Sequence, residues 1–98
     1  MIFDGTWAAS IATPLGTQAV VLEIASEQGV VRGRATQGDE SVELLDPVVA
    51  GDRLTWAQQV TKPLRLRVVC AVTVEGDTMR GTAKAGVFLA APLTGVRR

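Results

Sequence analysis

This 98-residue sequence predicts an all-β fold, an eight-stranded antiparallel up-and-down meander barrel. Three observations carry the prediction. Runs of alternating apolar and polar residues recur about every ten residues, and no segment sustains helical periodicity. The runs are joined by short turn-forming links, which suit antiparallel neighbours. Finally, "TWAASIATPL" at Thr6 returns as "TWAQQVTKPL" at Thr55, with the Thr, Trp, Ala, Pro and Leu positions unchanged.

Side chains alternate faces along a strand, so each run divides into an inner and an outer set. The first strand, 5–13, turns Trp7, Ala9 and Ile11 inward and stops at Pro14-Leu15-Gly16. The second, 17–27, contributes Val20, Leu22 and Ile24 and ends at Gln28-Gly29. The third, 30–37, offers the smaller set Val31, Gly33 and Ala35 before Gly38-Asp39. The fourth, 41–49, contains Asp46-Pro47, a bend where the strand changes face, and closes at Gly51-Asp52. Leu54, Trp56, Gln58 and Val60 face inward from the fifth, 53–61, which ends at Lys62-Pro63. The sixth, 64–75, presents Leu64, Leu66, Val68, Cys70, Val72 and Val74, then turns at Gly76-Asp77. The seventh, 78–85, again has small inward groups in Gly81, Ala83 and Ala85 beside Met79. It meets the eighth, 87–97, near Gly86, and Phe88 opens that last strand.

The repeat runs past ten letters. "RGRATQG" from Arg32 matches "RGTAKAG" from Arg80, so the chain reads as one domain, 1–98, with an internal repeat of about 5–50 and 54–97. Two such four-stranded halves lose all their edges by closing into one barrel, with a two-layer sandwich as the alternative. The glycines of the third and seventh strands leave either room for the two indoles in a solid core or a cavity for one small ligand.

Ten basic and ten acidic residues cancel without clustering, which excludes the basic face of a nucleic-acid binder. No apolar run reaches the roughly 18 residues of a membrane helix. No leader is evident, and the lone Cys70 fits a reducing cytoplasm. Outward Ala8, Ala12, Ala19, Val21, Val69 and Ala71 point toward a homodimer.

The catalytic equipment is thin. Without histidine or tyrosine the commonest general base and a phenol donor are missing, and a metal site is not expected. Cys70 sits among valines as an inert core thiol. Asp46 before Pro47 reads first as a turn residue and second as a carboxylate tuned by apolar surroundings. Inward Gln18 and Gln58 either bond to backbone or offer an amide to a ligand.

"DGTW" at Asp4 and "TGVR" at Thr94 together resemble the terminal signature of calycin barrels, the lipocalin, fatty-acid-binding and avidin-like proteins. The resemblance covers only the ends of the chain. It implies structural roles for Gly5, Trp7 and Arg97, with the guanidinium lying over the indole. The chain departs from those barrels in being shorter and in lacking disulfides and a lid helix. It is also similar to small bacterial β domains with a "GTW…TP.G" start, through Gly76, Asp77, Met79, Gly81, Gly86 and Phe88.

The function expected from these features is binding of a small, mostly apolar ligand inside the barrel, with no cofactor. Trp56, Gln58, Leu66, Val68, Met79 and Phe88 would line its site. A cofactor-free isomerase, cyclase or hydratase using the same interior, or a structural domain with a filled core, are the alternatives.

Overall fold

A computed structural model describes residues 1–61, 65–86 and 89–98. The strands are β1 (Gly5–Thr13), β2 (Gly16–Glu27), β3 (Val30–Gln37), β4 (Glu40–Glu43), β5 (Leu45–Ala50), β6 (Arg53–Val60), β7 (Leu66–Glu75), β8 (Thr78–Ala85) and β9 (Ala91–Arg97). They form one antiparallel sheet in the order β4-β3-β2-β1-β9-β8-β7-β6-β5. The chain ends therefore meet in the middle of the order, where β1 pairs with β9 from Trp7–Arg97 to Ile11–Leu93. The sheet curls into a nearly closed up-and-down barrel, which sets aside the two-layer alternative.

The expected eight strands are nine among the described residues, because the run 41–49 is split at Leu44. β4 pairs with β3 and β5 with β6, so one stretch of chain bridges the two sides of the seam. The split has a local cause. Asp46 adopts φ 49° just before Pro47, and the pairing of β5 shifts register between Leu45 and Val48. A left-handed residue followed by one without an N–H makes a bulge and ends regular pairing. Leu44 pins the crossing: its N–H donates to the Gly33 carbonyl at 2.9 Å and its side chain is buried. The last strand also begins later than expected, at Ala91. Leu64, Pro63 and the start of that run at 87–88 lie outside the described residues.

The inner faces of β1, β2, β3, β6, β7 and β8 follow the expected alternation, and Phe3, ahead of β1, and Leu93, on β9, join the core without having been expected there. Trp7, Phe3, Leu22, Leu54, Trp56, Met79 and Leu93 fill the centre, with Val20, Ile24, Val31, Cys70, Val72 and Val74 around them. The glycines on the two small-residue strands are close-approach positions: a Cβ on Gly81 would sit 1.8 Å from the Ala71 carbonyl oxygen, and one on Gly33 2.7 Å from that of Glu23. Among the described residues no helix is long and apolar enough to cross a membrane.

Candidate functional site

The two ends of the barrel differ. One is plugged by the residues preceding β1. Phe3 is buried there, and its carbonyl accepts the Trp7 Nε1–H at 2.9 Å, satisfying an indole N–H that would otherwise be orphaned in the core. Arg97 locks the plug. Its guanidinium carbon stands 4.3 Å from the Trp7 ring centroid. The same group donates to the carbonyls of Asp4, Ile2 (2.8 Å) and Gly76 (3.2 Å), and to the Asp77 carboxylate at 2.9 Å. Gly5, at φ 128°, leaves the space that Arg97 needs: a Cβ there would lie 3.2 Å from Nη1. Asp4 accepts from Ser26 Oγ at 2.8 Å and from the amino terminus at 3.2 Å. The Ser26 hydrogen bond, first among the causes, holds the Asp4 carboxyl below its ordinary range.

The other end holds three of the six expected ligand-facing residues, Gln58, Leu66 and Val68. Burial of the inward side chains falls off along the strands toward it: Ile11, Val42, Val60, Leu66, Val68 and Ala85 are all half-buried. Ile11, Val42 and Val68 still pack against the core. Gln58, 5% exposed, is the buried polar side chain at this level. Its Oε1 accepts the Trp56 Nε1–H at 2.9 Å, which leaves the amide nitrogen for another partner. Register puts Gln58 opposite Val68 and Val60 opposite Leu66, while Val68 also faces Ala85 across β8. Gln18 is further out, where its Oε1 accepts from Gln37 Nε2 at 2.7 Å.

The structure thus brings Gln58, Leu66 and Val68 together at one rim. Trp56 lies in the fully buried core one inward position below Gln58, Met79 is buried toward the plugged end, where it faces Val74 beside the Gly76-Asp77 turn, and Phe88 lies outside the described residues. Cys70, opposite Trp56, is buried with its thiol pushed up to about 12 by desolvation. Asp46 is an outer residue: its carboxylate is 85% exposed and 3.4 Å from Arg67. That placement removes it from the acid–base role considered for it. No cluster of potential metal ligands occurs among the described residues.

A cleft of about 750 Å³ opens on the outside of the barrel between the start of β3 and β5, lined by Gly29–Gly33, Glu43, Leu44 and Pro47–Val49. Its only signal in the sequence is Asp46-Pro47, which splits the strand that would have filled it. No family model, no curated protein and no solved structure matches this chain.

Proposed function

We propose that this chain is a binding barrel that takes a small, mostly apolar ligand at its half-buried rim. The observation that carries the reading is the graded burial of one end, with a buried carboxamide at its floor. Leu66, Val68, Val60, Ile11 and Val42 supply apolar wall, and Gln58 supplies one directional hydrogen bond, the usual mix for a small-molecule site. Trp56 acts indirectly, by fixing the orientation of the Gln58 amide. The packed centre limits the ligand to the rim, and Met79, buried toward the plugged end opposite Val74, is left out of the site.

A calycin-like relationship, a bacterial source, residence in the cytoplasm and homodimer formation belong to the same proposal. The Arg97–Trp7 stack supports the first of these. Descent from two similar halves is supported by register: Trp7 pairs with Leu22 and Leu22 with Ala35, as Trp56 pairs with Cys70 and Cys70 with Ala83. No observation favours catalysis, since the buried polar side chain at the rim is a neutral amide.

The test is titration with a fluorescent apolar probe, 1-anilinonaphthalene-8-sulfonate, against the native protein and against Val68→Arg. We expect saturable, one-to-one binding that weakens at least about tenfold in the variant, as for a charge forced into an apolar contact. Equal binding by both folded proteins, or no saturable binding, would overturn the reading.

A further inference from the structure

The cleft between β3 and β5 is walled by two strand edges that have no neighbour. The sheet order ends at β4 and β5, and pairing of β3 with β4 stops at Arg34–Glu43, so residues 30–32 have a strand only on the β2 side. Alternation fixes which peptide groups face the gap. The two-residue turn Gln28-Gly29 makes Glu27 and Val30 the last facing pair of β2 and β3. Val30 therefore turns its N–H and C=O toward β2, and Val31 turns both into the cleft. The Leu44 bond to the Gly33 carbonyl comes from that same side. Counting from the Gly51-Asp52 turn in the same way, Ala50 faces β6 and Val49 faces the cleft.

Side chains mark the same place. Val30 and Val48, on the lips, are 56% and 58% exposed. Arg32 is the unbalanced charge. Arg34 stands between Glu23 and Glu43 in register, but the neighbour of Arg32 on β2 is Ala25, and the position across from it on the cleft side is vacant. Arg32 makes no ion pair among the described residues. An acidic side chain on an added strand would complete the cross-strand pair.

We propose that this cleft accepts an extended peptide as an added strand antiparallel to β3, carrying an acidic residue two positions before an apolar one. The acidic residue faces Arg32, the apolar one faces Val30, and the residue between exchanges both backbone hydrogen bonds with Val31. A second copy of this chain offers Asp46-Pro47-Val48 on its own free edge, which has the right side chains. Pro47 has no N–H to give to the Val31 carbonyl, so that edge is a poor occupant and the partner is a different peptide.

The probe is the acetylated, amidated peptide Thr-Glu-Val-Val-Thr, compared with the same peptide carrying lysine in place of glutamate. Binding is followed by amide chemical shifts of the isotope-labelled protein. We expect saturable shifts centred on Val31, Arg32 and Val49, with the glutamate peptide preferred about threefold, the scale of one cross-strand charge pair. In Arg32→Glu, whose exposed position leaves the fold intact, the preference should reverse. No saturation by about 1 mM peptide would overturn the proposal. So would shifts centred on Val68, a preference unchanged in Arg32→Glu, or Val31 shifts that follow protein concentration alone.

Discussion

At the scale of single residues, Arg97 does the work of several. It caps the indole of Trp7, ties the carbonyls of Ile2, Asp4 and Gly76, and pairs with Asp77, all from the last strand. Planarity lets one guanidinium stack and donate at once, which a lysine ammonium cannot do. Arg97→Lys should therefore cost about 1–2 kcal/mol, combining part of a cation–π contact with lost charge-assisted hydrogen bonds. Thermal or urea unfolding measures this, and an unchanged midpoint would show that the clamp is decorative. Gly5 and Trp7, its partners, were legible as a terminal signature because they lie in "DGTW". Phe3 was not. Its neighbours Ile2 and Asp4 give no alternating pattern, so nothing local distinguishes a plug from a loose end.

At the scale of elements, the strands that the sequence shows most clearly are those with an apolar face and a glycine-bearing turn. β2 and β7 alternate without interruption, and their inner faces are as expected. The fourth run misleads because one-dimensional alternation carries no information about neighbours. The stretch 41–49 looks like one strand, yet its halves pair with different partners, and only the left-handed Asp46 divides them. The small residues of β3 and β8 raised two readings, ligand space or close packing. Gly81 is settled by the backbone of β7: a side chain there meets the Ala71 carbonyl oxygen and the Val72 Cα, neither of which can move aside. Gly81→Ala should destabilise by about 3 kcal/mol or more, at the overpacking extreme. Gly33→Ala should cost less, because one of its two close contacts is the flexible end of Leu44. Comparing the unfolding free energies of the two variants tests this ranking, and equal costs would contradict it.

At the scale of the whole molecule, the way the barrel closes sets where it is weak. β1 and β9, the two terminal strands, are paired over their length and clamped by Arg97, so the chain ends are among its firmest parts. The seam lies instead in the middle of the sequence. There β4 and β5 each hold one neighbour. The far side of β4 is joined to the end of β6 through Glu40, which accepts from Thr61 Oγ1 and from the Thr61 amide at 3.4 Å. Exposed side-chain contacts of this kind stabilise weakly compared with a backbone ladder. Local opening of β4 and β5 breaks few hydrogen bonds and exposes mainly Leu44 and the half-buried Val42, whereas opening β2 or β7 uncovers the centre of the core. Native-state hydrogen exchange should therefore show the amides of 41–50 exchanging at least about a hundredfold faster than those of Leu22 and Cys70. Uniform protection would mean that the seam parts only when the whole barrel unfolds. The strand addition proposed for the cleft would draw on the same weakness: an edge that opens at low cost beside Val31 would take up an added strand without disturbing the strands that carry the core.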